Sequence, residues 1–296
     1  MYQKFIDKKF NDDSMRLIDR INEIIWEYQN IGYKMTLRQL YYQLVASDEI
    51  PNTENSYKKI GSILNDGRLC GLIDWDVIED RTRSVKGLGY DVDVPSALQY
   101  AVDTYRINPW DHYDGSVYCE VWIEKDALVS IVERVCRHAH INYLSCRGYP
   151  SQTLIYDSAK RLETQYMNGN DITILHLGDH DPSGIDMTRD LQDRLNMMMS
   201  NGYVHVERIA LTYDQIQEFN PPPNPTKLTD TRSKAYIAEF GYDCWELDAL
   251  KPDDIESIIR FNLEAEVDLE ELEKISADIE NRNHMQEFVN TYKPRS

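Results

Sequence analysis

The chain has 296 residues, of which 42% are hydrophobic and 28% charged, with only 13 glycines and 11 prolines. That composition excludes collagenous, disordered and small disulfide-stapled chains, and leaves one large domain or two modest ones that can each bury a core. The formal charge of -19 argues against nucleic acid as a partner, yet residues 1–100 carry only -3 of it and residues 101–296 the remaining -16.

The five cysteines lack CxxC spacing, which points to reduced thiols rather than disulfides or a zinc site. Met1 to Phe10 is polar with three lysines, unlike a secretory signal, and no apolar run approaches the length of a membrane span. A cytoplasmic protein with no membrane partner is expected.

In chain order, Leu17, Ile18, Ile21, Ile24, Ile25 and Tyr28 recur at helical spacing behind Ser14, a good N-cap, and Gly32 ends that helix. Thr36 and Gln39 form a capping box for a second helix over Leu37 to Ala46. A third begins after Ser56, with Tyr57, Ile60, Ile63 and Leu64 on one face and Lys58, Lys59 and Arg68 available as DNA contacts. Ile73 to Ile78 alternates partly, ahead of Asp80-Arg81-Thr82-Arg83. Three short helices followed by a strand pair predict a winged helix-turn-helix over residues 1–90, although any compact helical domain shows a similar pattern.

Residues 91–115 hold Pro95, Pro109 and Gly115 around a short helical run from Ser96, and read as a connector. A different regime follows over 116–296. Val117–Ile123, Ile141–Cys146, Ile172–Leu177 and Val204–Leu211 are strand-like, and Ala127–Arg137, Gln152–Met167 and Ile185–Met199 are helical. This alternation predicts an α/β fold with a mainly parallel sheet. Pro221 to Pro225 is a stiff loop, and the acidic residues 241–296 form a solvated helical C-terminus.

Ligands of open parallel sheets bind beyond the carboxyl ends of the strands. Glu124 closes the first strand, and Asp179 and Asp181 follow the third in His176-Leu177-Gly178-Asp179-His180-Asp181-Pro182-Ser183-Gly184. Clustered carboxylates and hard divalent cations suit one another, so a magnesium site is the economical reading, with helix capping as the plain alternative for the DxD pair. Glu120 takes the place of Glu124 if the register differs.

Glu124-Lys125, then Cys146-Arg147-Gly148-Tyr149-Pro150 with Thr153, then Asp179-His180-Asp181-Pro182-Ser183-Gly184 resembles the Toprim domain of the topoisomerase VI A-subunit family. That family includes the transesterases that initiate meiotic recombination. Arg38-Gln39-Leu40-Tyr41-Tyr42 resembles the tyrosine helix of its winged-helix domain. The resemblance implies Mg2+ on Glu124, Asp179 and Asp181, Tyr42 as a nucleophile that links to the 5′ ends of duplex DNA, and Arg38 one turn before it. It also implies a homodimer in which each tyrosine works with the partner's metal site, a nucleoid-associated setting, and an ATPase partner subunit. The chain begins 35 residues before Thr36, so the extension that engages such a partner is expected to be reduced.

The sequence departs from the family pattern at Ser151, at Thr153-Leu154 and at Ser183. Arg147, Lys125 and Arg189 read either as phosphate contacts or as neutralisers of an acidic pocket. His138 and His140 point in different directions, His180 reads as a loop residue able to tune the site, and Glu246-Leu247-Asp248 reads as structural. Two rivals stay open: a Toprim nuclease that hydrolyses DNA while Tyr42 only packs, and a non-catalytic DNA-binding protein.

Overall fold

A computed structural model describes residues 2–78, 91–137 and 139–292 of the chain. Its centre is a four-stranded, all-parallel sheet of β1 (Val117–Ile123), β2 (Asn142–Ser145), β3 (Asp171–Leu177) and β4 (Val204–Ala210), in the order β2-β1-β3-β4. Strands covered on both faces need apolar side chains pointing both ways, and β1 and β3 are buried along nearly their whole length. The expected α/β class with a parallel sheet is observed.

Helices α5 (Val129–Cys136) and α10 (Pro252–Glu266) cover one side of the sheet, and α6 (Gln152–Met167) and α7 (Pro182–Met198) pack on β3 and β4 and on one another. Every strand ends on the same edge, so Glu124, Cys146 and Gly178 share one rim. A backbone bond from Glu124 N to Leu177 O (2.8 Å) carries the β1–β3 pairing into the loop that bears Glu124.

Glu120 lies inside this sheet and does not face the rim. Its carboxylate accepts hydrogen bonds from Arg161 of α6 (3.1 and 2.8 Å), Tyr118 (2.8 Å) and Trp122 (2.9 Å). A carboxylate so fully used by buried donors serves the fold, and the alternative register that made it a ligand is not formed.

Upstream, α1 (Asp12–Asn30), α2 (Leu37–Ala46) and α3 (Glu54–Leu69) match the three expected helices. The capping box forms: Gln39 N donates to Thr36 Oγ1 and Thr36 N to Gln39 Oε1. Two starts move earlier because better caps precede the expected ones: Asn11 accepts from Ser14 N, and Thr53 from Ser56 N. The expected strand over Ile73 to Ile78 is instead a turn with a single parallel bridge, Met35 to Ile78. Arg68 explains the turn, since its guanidinium donates to the carbonyls of Trp75 (2.9 Å) and Ile78 and stacks on the Trp75 ring. Residues 79–90, which include the second half of the expected wing, lie outside the described residues.

The expected connector is packed rather than loose. Helix α4 (Val94–Thr104) lies on α12 (Ile279–Thr291), where Gln99 and Gln286 exchange hydrogen bonds and Arg282 donates to the carbonyls of Val102 and Asp103. Trp110 is buried against Tyr118 at 4.6 Å. Buried residues of α1–α3 (Ile21, Leu40, Ile60) and of the sheet (Trp122, Ile174) belong to one continuous apolar cluster, so the units expected at 1–90 and 116–296 share a core. Among the described residues no helix is long and apolar enough to cross a membrane.

A candidate active-site cleft

The rim at the ends of β1 and β3 is built from one tight loop. Asp181 is the N-cap of α7, its Oδ1 accepting from Gly184 N (2.6 Å) and Ser183 Oγ (2.9 Å), with Pro182 at the first helical position. Glu124 reaches across from β1, and its Oε2 accepts from Asp179 N at 2.9 Å. Glycine is needed on both sides of that contact. A Cβ on Gly178 would sit 2.9 Å from Glu124 Oε2, and one on Gly184 would sit 2.2 Å from Asp179 O. Because the second clash is with backbone, Gly184→Ala is expected to lower stability by about 3 kcal/mol. A urea midpoint within error of wild type would refute it.

Beneath the loop lies Arg208 of β4, which sequence reading passed over. It donates to the carbonyls of Gly178 (2.9 Å), Gly184 (2.9 Å), Leu211 (3.2 Å) and Asp179, turning four backbone acceptors towards one guanidinium. Burial pulls its pKa down to about 10 against the attraction of Glu124, Asp179 and Asp181.

Asp179 faces a second cluster. Its Oδ1 accepts from Leu247 N (2.8 Å), and its Oδ2 pairs with Lys125 Nζ (2.8 Å). The same ammonium meets Glu246 Oε2 at 2.8 Å and Asp248 Oδ2 at 3.4 Å. Burial pushes the Asp179 carboxyl up to about 7, opposed by Lys125 and reinforced by Glu124 and Glu246. Glu124 is raised as well, first by burial. For Lys125 burial works the other way, but Asp179, Asp248 and Glu246 outweigh it and hold the ammonium protonated.

Arg38 and Tyr42 of α2 complete the arrangement. Arg38 Nη2 donates to Glu246 Oε2, and its Nε lies 3.1 Å from Asp248 Oδ2. Tyr42, 4% exposed, accepts from Asn224 Nδ2 at 3.2 Å through its hydroxyl and lines the same cleft as Glu246. Burial, then the Glu246 charge, push the phenol up to about 12, while burial of Glu246 is overcome by Lys125 and Arg38, which keep it ionised. Arg38, Tyr42, Asp181, Asn224, Trp245 and Glu246 line a single cleft of about 700 Å³. The tyrosine and the rim therefore meet within one chain.

The sequence-predicted residues divide sharply. Arg38, Tyr42, Glu124, Asp179 and Asp181 converge at this edge, and Lys125 with them. Glu246 and Asp248, read from sequence as structural, are at its centre. Arg68 is turned inward to cap its own turn and is not placed to meet DNA. Lys58 pairs with Glu54 (2.6 Å) one turn away, Lys59 is exposed on the same helix, and Arg147, largely exposed, pairs with Asp126 (3.0 Å). Arg189 pairs with Asp186 and Asp193 along α7. His180 is buried rather than a loop residue in solvent: Tyr236, Phe240 and Trp245 surround it, its Nδ1 meets Tyr236 Oη at 2.8 Å, and burial pulls its pKa down to about 4. It is a neutral packing residue. His140 lies beyond α5, and His138 is outside the described residues.

Two of the residues that depart from the family pattern have local roles. Ser151 caps α6 through Leu154 N, and Ser183 buttresses Asp181. Tyr149 joins Asp186 of α7 (2.8 Å) to the guanidinium of Arg232, which stacks over its ring.

Hard cations take oxygen donors, and magnesium is commonly held by one or two carboxylates with water completing its shell. Glu124 Oε1 and Asp181 Oδ2 receive no hydrogen bond from a described residue, whereas both oxygens of Asp179 are engaged. Among the described residues no three ligating side chains are grouped as a metal centre. Glu124 and Asp181 thus each keep one carboxylate oxygen without a hydrogen bond from a described residue, whereas Asp179 is occupied by Lys125 and Leu247 N.

No protein-family model matches the chain, and no curated protein matches it.

Proposed function

We infer that the cleft breaks duplex DNA by transesterification, with α1–α3 as a winged-helix-like unit carrying Tyr42 and the parallel sheet as a Toprim-like unit. The observation that carries this reading is that Tyr42, Arg38 and Asp181 line one cleft together with Glu246, which Lys125 joins to Asp179 behind it. Attack by Tyr42 Oη forms an oxygen–phosphorus bond and breaks the bond to the 3′-oxygen, which takes up a proton and leaves the protein on the 5′ end. A phenol raised to about 12 is protonated in the resting protein, so deprotonation belongs to the bound state. Arg38 and Lys125 offset the charge that develops on phosphorus.

Glu124 and Asp181 would hold magnesium, which supplies Lewis acidity to the phosphate oxygens and to the leaving oxygen. Within one chain the nucleophile and the rim already share a cleft, so a homodimer serves to place two clefts on the two strands rather than to complete either. Nucleoid association and an ATPase partner follow from the same reading.

Burial of Tyr42 favours one rival, hydrolysis with the tyrosine as packing. The two chemistries separate on a denaturing gel of end-labelled duplex incubated with the protein and magnesium. Label is expected to migrate with the protein until a protease is added. Tyr42→Phe deletes one oxygen, and is expected to reduce adduct formation at least about a thousandfold with DNA affinity nearly unchanged. A Tyr42→Phe protein that still cuts at the wild-type rate moves the assignment to a hydrolytic nuclease.

A further inference from the structure

We propose that the Glu246 carboxylate occupies the seat of a substrate phosphate, and that Arg38 and Lys125 take up a phosphodiester there once Glu246 withdraws. This rests on the DNA-cleaving reading above and adds to it the group that guards the seat.

Two donors from separate parts of the chain meet at this carboxylate: Arg38 Nη2 and Lys125 Nζ (2.8 Å) both bond its Oε2, and Tyr42 lines the same cleft. A guanidinium and an ammonium aimed at one anionic oxygen, with a tyrosine lining the same cleft, are the surroundings that a phosphate oxygen next to an attacking tyrosine requires. Each donor is positioned without help from Glu246. Lys125 stands two residues past β1, next to Glu124, whose N is bonded to Leu177 O. Arg38 and Tyr42 stand on a helix fixed by its own capping box. The backbone that carries Glu246 is anchored through Leu247 N on Asp179 Oδ1, so the glutamate can leave by side-chain rotation alone.

Charge matching points the same way. Two cations, Arg38 and Lys125, face three carboxylates, Asp179, Asp248 and Glu246. Asp248, 1% exposed, and Asp179 suffice to neutralise the two cations, and they are the deeper pair. Glu246 is the surplus charge, and it is the one that lines the open cleft. A phosphodiester also carries one negative charge, so its exchange for the Glu246 carboxylate leaves the net charge of the cluster unchanged. Until that exchange, Glu246 occupies both Arg38 and Lys125.

The test uses the full-length chain, with Glu246→Gln keeping the shape and removing the charge, and Glu246→Ser measured in parallel so that a folding defect in one variant does not decide the matter. Fluorescence anisotropy with a labelled duplex, without divalent metal, is expected to show about tenfold tighter binding by the folded variant than by wild type. The gain is expected to vanish when Arg38→Met is added. Inorganic phosphate is expected to raise the melting temperature of the variant more than that of wild type. A folded variant with unchanged or weaker duplex affinity, and no added response to phosphate, overturns the proposal even if wild type cleaves through Tyr42. A phosphate response in a protein that binds no duplex leaves the seat standing and removes the DNA reading instead.

Discussion

Lys125→Met is expected to cost about 4 kcal/mol of stability. The side chain is 17% exposed and is shared by Asp179, Glu246 and Asp248, two of which are almost wholly buried. Methionine fills the same space but leaves these carboxylates facing one another, with Arg38 reaching only Glu246 and Asp248. Asp248 Oδ1 already lacks a hydrogen-bond partner, so the cluster has no spare donors with which to absorb the loss. Breaking a buried ion pair from one side leaves the desolvation cost of the other without its compensation, and this outweighs the lost attraction itself. Urea unfolding with an unchanged m-value reads the effect directly. Adding Asp179→Leu to Lys125→Met is expected to return part of the stability by removing the stranded charge. A single variant that unfolds within about 1 kcal/mol of wild type, the worth of a solvated surface pair, would show that water reaches the cluster.

A loss of similar size is expected from Glu120→Ala, for a different reason. Here one carboxylate at 1% exposure satisfies two nitrogens of Arg161, the Tyr118 hydroxyl and the Trp122 indole. Removing it orphans all of these donors between β1 and α6, at about 4 kcal/mol in total. Glu120→Gln keeps an acceptor but not the charge, and should fall about halfway between. The same variants decide a chemical question. Since Glu120 lies within the sheet and not at its rim, any Glu120→Gln protein that folds should keep the magnesium dependence of wild type. A selective loss of that dependence, with the fold intact, would return Glu120 to the list of ligands.

Much of this architecture was legible because its causes are local. Thr36 and Gln39 cap α2 through bonds three residues apart, and β1 and β3 announce themselves as apolar runs because both faces of a parallel strand are covered. Asp179 and Asp181 at a strand end could likewise be placed at the rim from the order of elements alone. Ile73 to Ile78 misled because partial alternation describes a turn as well as a strand, and the deciding contact, Arg68 on the carbonyls of Trp75 and Ile78, is a side-chain event without periodicity. The segment around Trp110 was read by its prolines and glycines, while its aromatic packing on Tyr118 depended on a strand not yet placed. Glu246 was hardest to see: it meets Arg38 across 208 positions, and no local pattern marks a carboxylate whose partners lie so far away.

That same separation governs when the cleft can exist during synthesis. Arg38 and Tyr42 leave the ribosome early, whereas their partners Asn224, Glu246 and Asp248 are made some 200 residues later. At ordinary elongation rates the interval is roughly 10–40 s. Throughout it, α2 has its capping box but none of its long-range partners. Any nascent chain stalled or cleaved before residue 246 therefore carries the tyrosine without the carboxylates that meet Arg38. Until Glu246 and Asp248 are made, the cleft lacks the wall that carries them, and Arg38 stands on α2 without its two carboxylate partners.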